Sequence, residues 1–156
     1  MKMFENAKVA PELVEKLSWF AKYAKPNMGE TLGIEFLSFE TGAVTASMPV
    51  NSSTHQPFGV LHGGASVAFA ETLASFGGWL MVDGRKWTTV GVEINANHIR
   101  PVASGLVFGE AKCLHQGKTT QVWEIKITNQ HQKLVCISRC TLAVIPIPKD
   151  FDKTAS

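Results

Sequence analysis

The sequence predicts an α+β fold: a curved antiparallel sheet of about six strands wrapped on one long central helix, with a further helix at the amino terminus. Three observations carry that prediction. From Gly63-Gly64 onward the chain runs through small and apolar residues interrupted by one carboxylate, Glu71. Two β-like runs precede this stretch, and four long ones follow it with only short turns between them. Turns that short join antiparallel neighbours, because a parallel pair needs a crossover of about a dozen residues.

Taken in order, residues 11–25 place Leu13, Val14, Leu17, Phe20, Ala21 and Ala24 at helical spacing, with Pro11 in the first turn. This is an amphipathic helix laid on something larger. Residues 31–40 and 43–50 are β-like and joined at Thr41-Gly42. Val44, Ala46, Met48 and Val50 alternate in the second run, which makes the pair a hairpin. A loop over 51–61 leads into the central helix, expected from about Gly63 to Asp83-Gly84. Residues 88–99, 106–115, 119–129 and 134–145 are the remaining strands, divided at Ala103-Ser104-Gly105, Gln116-Gly117-Lys118 and Gln130-His131-Gln132. The reading divides the chain into an amino-terminal helical extension (1–30), a main domain (31–146) and a loose tail (147–156). A helix apolar all round needs partners on every side, and a second copy of the chain is the obvious supplier.

The chain has 156 residues, 45% hydrophobic and 18% charged, with a formal charge of +2. That is one domain, and the near-neutral balance argues against a nucleic-acid surface while suiting a small anionic ligand. No apolar run of about 18 residues and no secretory pattern at the amino terminus are present, so a cytoplasmic protein without a membrane partner is expected. Of three cysteines, Cys136 and Cys140 fall about 13 Å apart on one strand face, too far for a disulfide, and read as core residues. The five histidines show no paired ligand spacing, so no metal site is expected.

Glu71 gives the chemistry its starting point. No Lys or Arg occurs between Gln56 and Asp83, so a carboxylate on this helix has no local cation to pair with. The helix start offers unpaired N–H groups and the positive end of the helix dipole, and Gly63-Gly64 let another molecule approach the backbone. Such a place suits a carbonyl oxygen gaining negative charge, with Gln56 as a second neutral donor. Glu71 then reads as nucleophile or as the base that activates water. It stands eight residues beyond Gly63, a rise of about 12 Å, whereas reacting atoms must come within about 3–3.5 Å. Two chains with antiparallel central helices would place each Glu71 near the other's helix start, forming two composite sites. Ser75, one turn after Glu71, reads either as its hydrogen-bond partner or as a packing residue. His62 reads either as an orienting group or as a helix cap.

The run Gln56-Pro57-x-Gly59-x-Leu61-His62-Gly63-Gly64-Ala65-Ser66, followed by Ala70-Glu71 and Ser75, resembles the hotdog-fold acyl-CoA thioesterases. The resemblance is to the branch containing the Glu-nucleophile 4-hydroxybenzoyl-CoA thioesterase, 1,4-dihydroxy-2-naphthoyl-CoA hydrolase and the enterobactin-synthesis proofreading thioesterase. It continues through residues 91–100, Leu114-His115-x-Gly117 and residues 121–125. It implies that Glu71 is the catalytic carboxylate, that Gln56 and the Gly63 amide polarise the thioester carbonyl, and that His62 and Ser75 support them. It further implies that the carboxylate comes from the neighbouring subunit of a homodimer; a homodimer and a homotetramer both stay open, because the two arrangements bury similar apolar surfaces. Arg100, Lys118 and Thr119 fall where relatives contact the nucleotide of coenzyme A. The residues agree, since Val90, Val92, Ile94 and Ala96 are expected to share a strand face that ends in a basic rim at His98 and Arg100.

The expected activity is hydrolysis of an aromatic or medium-chain acyl-CoA, or of an acyl-carrier thioester, with no metal and no cofactor beyond the coenzyme A of the substrate. Two rivals are a hotdog dehydratase or hydratase, using His62 and Glu71 over an acyl chain, and a non-catalytic acyl-CoA-binding module.

Overall fold

The structure is a computed structural model and describes residues 2–147; the expected loose tail from residue 148 onward lies outside them. Seven strands form one sheet in the order β1-β2-β3-β5-β6-β7-β4. They are β1 (Lys8–Val9), β2 (Glu35–Glu40), β3 (Ala43–Val50), β4 (Trp87–His98), β5 (Gly105–Gln116), β6 (Thr120–Asn129) and β7 (Leu134–Pro146). The helices are α1 (Val14–Tyr23), α2 (Met28–Thr31) and α3 (Gly63–Leu80). The six long strands pair antiparallel, as the short turns require.

The seventh strand is the departure. β1 pairs parallel with β2, Lys8 opposite Ser38, and the helical segment between them supplies the crossover that a parallel pair needs. Two residues are too few to leave a periodic signal. The amino-terminal helix is also shorter than expected: a 3-10 turn at Pro11–Leu13 precedes α1, and the helix stops at Tyr23 with Ala24 extended, just ahead of Lys25, in which the following Pro26 disfavours helix. Strand β2 starts at Glu35, four residues late. Asn27 caps α2 by accepting the Glu30 N–H at 3.3 Å, and Gly33 turns the chain with φ of 70°.

Helix α3 is the sheet's inner partner. Phe69, Ala70, Leu73 and Ala74 are fully buried against a core that includes Phe36, Val44, Met48, Val107, Trp123, Ile125 and Leu142. Its end comes at Leu80, short of Asp83-Gly84. There Lys16 of α1 donates to Trp79 O at 2.5 Å and Val82 O at 2.6 Å, with its amine 4.5 Å from the Trp79 ring centre. A cation at the negative end of a helix dipole is favourable. Burial nevertheless pushes the Lys16 amine down to about 8, against the pull of Asp83.

A buried polar chain fixes α3 on the sheet. Trp123 Nε1 donates to Gln121 Oε1 at 3.0 Å, and Gln121 Nε2 donates to Gly78 O at 3.3 Å. The Trp123 ring lies so close that a methyl on Gly77 would stand 2.5 Å from it. Gly77→Ala should therefore cost about 1–3 kcal/mol through overpacking, a drop readable in urea unfolding followed by Trp fluorescence. An unchanged midpoint would show that the indole can yield.

Candidate active site

The loop before α3 is built to hold Gln56. Thr54 is buried at its root, accepting the Asn51 N–H at 3.0 Å and donating to Pro49 O at 2.9 Å. Gln56 then closes a tight turn, its N–H bonded to Val60 O and its carbonyl accepting the Gly59 N–H, with Gly59 at φ of 75°. His62 ends the loop and caps the helix: its Nδ1 accepts the Gly64 N–H at 2.8 Å. The cap among the two readings of His62 is thus formed, with the proton of the neutral ring on Nε2. Ala65 and Ser66 both donate to His62 O. The Gly63 N–H thus has no acceptor among the described residues.

A cavity of about 310 Å³ opens at this helix start. Gln56, Gly63 and Ser66 line it, together with His98, Arg100 and Val135. His98 reaches in from the end of β4, its Nε2 2.8 Å from where a methyl on Gly63 would be. Arg100 anchors one guanidinium N–H on Leu134 O at 2.6 Å and otherwise stands exposed at the rim. Four of the expected residues are therefore gathered: Gln56, Gly63, His98 and Arg100. Ser66 joins them, though the sequence reading gave it no role; a Ser among small helical residues carries no signal of its own.

Glu71 and Ser75 do not line this cavity. Glu71 is half-buried over β4, where a methyl on Gly91 would stand 2.5 Å from its Oε1. Neither Glu71 nor Ser75 has a side-chain hydrogen bond among the described residues, and no cation there pairs with Glu71. Its charge is felt at Cys140, a buried thiol pushed up to about 12 by burial first and then by Glu71 and Glu93. Cys113, Cys136 and Cys140 are free thiols, the last two fully buried as expected. Lys118 and Thr119 sit in the turn between β5 and β6, where the Thr119 carbonyl accepts the Val144 N–H at 2.9 Å. They do not line the cavity of their own chain.

One expected face is corrected. The β4–β7 register shifts between Gly91 and Glu93, and an extra residue at such a point exchanges the two faces of a strand. Val90 and Val92 consequently point outward, 42% and 64% exposed, while Ile94 and Ala96 pack against the core. The continuous apolar wall expected from Val90 to Ala96 does not form. Among the described residues there is no group of three or more His, Cys, Asp or Glu that could hold a metal, and no helix long and apolar enough to cross a membrane.

A long helix wrapped by a curved sheet is the hotdog architecture. The chain belongs to the thioesterase superfamily, whose family model matches residues 58–136. Within it, the chain is 50% identical over 115 residues to a 1,4-dihydroxy-2-naphthoyl-CoA hydrolase of Listeria monocytogenes, covering 74% of this chain and 93% of that one. It is 49% identical over 114 residues to the proofreading thioesterase EntH of Klebsiella pneumoniae, covering 73% and 82%. A crystal structure of a mutant Pseudomonas aeruginosa thioesterase superposes with a TM-score of 0.78 at 47% identity, covering 85% of this chain and 94% of that one. The protein is a thioester hydrolase, and the non-catalytic reading falls away.

Proposed function

We propose that this protein hydrolyses acyl-CoA thioesters at two composite sites of a homodimer, each joining Gln56 and Gly63 of one chain to Glu71 of the other. One observation carries the reading. The Gly63 amide and the Glu71 carboxylate belong to the same helix but to different places, one lining the cavity and the other outside it with no partner among the described residues. Eight residues of helix separate them by about 12 Å, so one chain cannot bring both to a carbonyl.

The outer surface supports pairing. β4 is an edge strand of 12 residues bonded only to β7 among the described strands. It shows Val90 and Val92 to solvent, and Phe58, two residues after Gln56, is 88% exposed. An open edge of this length with apolar side chains is a surface that proteins normally cover.

In the complete site the thioester oxygen takes the free Gly63 N–H and the Gln56 amide, donors worth roughly 2.7–4 kcal/mol each at the transition state. The partner's carboxylate either attacks the carbonyl carbon, giving an anhydride that water then hydrolyses to the acid and the free carboxylate, or deprotonates a water that attacks; in both cases the electron pair of the broken C–S bond leaves as the coenzyme A thiolate. Arg100 at the rim, with Lys118 and Thr119, meets the nucleotide phosphates. One of the relatives is named for 1,4-dihydroxy-2-naphthoyl-CoA, an aroyl-CoA, which favours aromatic acyl groups here.

Free-thiol release from a panel of aroyl-CoA and alkanoyl-CoA thioesters tests the proposal. Turnover highest with the aroyl members is expected, and no release above background from any of them would overturn it. The dehydratase rival requires His62 over the acyl chain, where its Nδ1 is already engaged as a cap. A geometric prediction follows from Gly91. Because a methyl there meets the mobile end of Glu71 rather than backbone, Gly91→Ala should leave the melting temperature nearly unchanged and lower kcat by about tenfold or more, as a displaced catalytic group does. Wild-type kcat in this variant would show that Glu71 acts from another position.

A further inference from the structure

In the turn from α3 into β4 a cation and an exposed indole stand side by side, and hydrolysis as described uses neither. Lys86 is exposed and belongs to none of the ion pairs among the described residues, and its neighbour Trp87 is 41% exposed. The turn that presents them is firmly tied. Asp83 O accepts the Lys86 and Trp87 N–H groups at 2.9 Å, and Asp83 Oδ1 accepts the Arg85 backbone N–H and Nε–H at 3.1 Å. Lys86 O in turn accepts the Ile147 N–H at 3.0 Å. An indole face and a free ammonium together suit a purine nucleotide, the ring for the base and the cation for a phosphate.

Two contacts within one chain fix where this turn lies in the dimer. Helix α3 meets β4 at Gly63 against His98 and again at Glu71 against Gly91. A dimer that brings the partner's Glu71 to Gly63 therefore brings the partner's Gly91 beside His98, with the two β4 edges antiparallel. In that register Arg100 is level with Thr89 of the partner subunit, and Val102 with Trp87 of the partner subunit. Trp87 and Lys86 of the partner subunit then stand four and five residues past the level of the carbonyl, about 13–17 Å along the strand. A pantetheine arm has about thirteen bonds from sulfur to the first phosphorus, roughly 15 Å extended at three bonds to each residue length of chain. The nucleotide of a coenzyme A thioester held at Gly63 thus reaches the partner's turn, with Arg100 on its other side. The turn carrying Lys118 and Thr119 lies at the same end of the sheet: Thr119 O accepts the Val144 N–H, and Val144 stands opposite Thr89.

We propose that the α3–β4 turn of each chain seats the nucleotide of the substrate bound in its partner's cavity, Trp87 stacking on the adenine and Lys86 pairing with a phosphate across from Arg100. The carrier of the acyl group is then coenzyme A rather than a carrier protein, which offers no adenine. This deepens the hydrolysis reading above and rests on its shared dimer site.

The test uses Lys86→Gln and Trp87→Leu, each checked by a thermal melt. One measurement is the ratio of kcat/KM for benzoyl-CoA to that for S-benzoylpantetheine, which lacks the nucleotide. The other is the calorimetric Kd of adenosine 3′,5′-bisphosphate. In each variant the ratio should fall and the Kd should rise by about fivefold or more, the loss expected for one stacked base or one charge-assisted hydrogen bond. An unchanged ratio, or an equal loss with both esters, would overturn the seat. Mixed dimers of Glu71→Ala and Gly63→Ala chains test which chain supplies it, because the carboxylate of their one working site comes from the Gly63→Ala chain. Lys86→Gln should raise KM when that chain carries it; a rise only when the Glu71→Ala chain carries it would also overturn the proposal. A wild type that hydrolyses neither ester yet binds the bisphosphate through Lys86 and Trp87 would refute the activity and leave the seat standing.

Discussion

Glu71→Gln should lower kcat for thioester hydrolysis by about 10³-fold or more while leaving the fold intact. The amide has the shape of the carboxylate but neither its nucleophilicity nor its basicity. The stability side of the expectation rests on the surroundings of Glu71. It is half-buried and has no hydrogen bond or ion pair among the described residues, so the substitution breaks no native contact. Unfolding free energy should stay within about 0.5 kcal/mol of wild type. A chromogenic thiol assay with a denaturant titration on the same preparation reads both quantities. Retention of a tenth or more of the wild-type kcat would remove Glu71 from the chemistry, and a collapsed melting transition would instead make it structural.

Mixing two inactive variants should restore activity, and this is the larger effect in relative terms. In a composite site, Glu71→Ala disables the carboxylate half and Gly63→Ala the donor half. The second change is argued from contact: a methyl on Gly63 would press on the His98 imidazole, 2.8 Å from Nε2 and 3.1 Å from Cε1, and would narrow the cavity where the carbonyl must sit. Each homodimer has two broken sites. A mixed dimer has one site with both changes and one with neither. Random pairing in equal amounts makes half the dimers mixed, so roughly a quarter of wild-type activity returns, as expected for an isologous pair. Co-refolding the two chains and assaying against each alone measures it. Activity no greater than the sum of the parents would mean that both halves act within one chain, and the dimer-shared site would be abandoned.

Much of the fold was legible because its signals are local. The alternation of Val44, Ala46, Met48 and Val50, and the turns at Gly42 and Gly117, depend on neighbours within a few residues. Those strands appear where expected, to within a residue or two at each end. What was misjudged lay at positions where tertiary contacts override propensity. Lys16, more than sixty residues away, closes the end of α3. Strand β1 exists only because β2 presents an edge to it. The bulge at Gly91 came from the meeting of β4 with β7, and no count of alternating residues in β4 alone could register it.

The site divides in the same way. Sequence by itself determined the chemistry on offer: a helix start with two glycines, an amide, Gln56, seven residues before Gly63, a carboxylate with no nearby cation, and the motif that resembles the thioesterase family. Spacing along a helix also determined that Gly63 and Glu71 are too far apart to serve one carbonyl within a chain, because the rise per residue of an α-helix is fixed. Only the tertiary structure decided which side chains share a cavity. His98 and Arg100 arrive from the far edge of the sheet, Ser66 joins them from α3, and His62 turns back to cap its own helix. These are outcomes of how α3 lies across the strands, and side-chain direction on a packed helix is set by what the helix packs against.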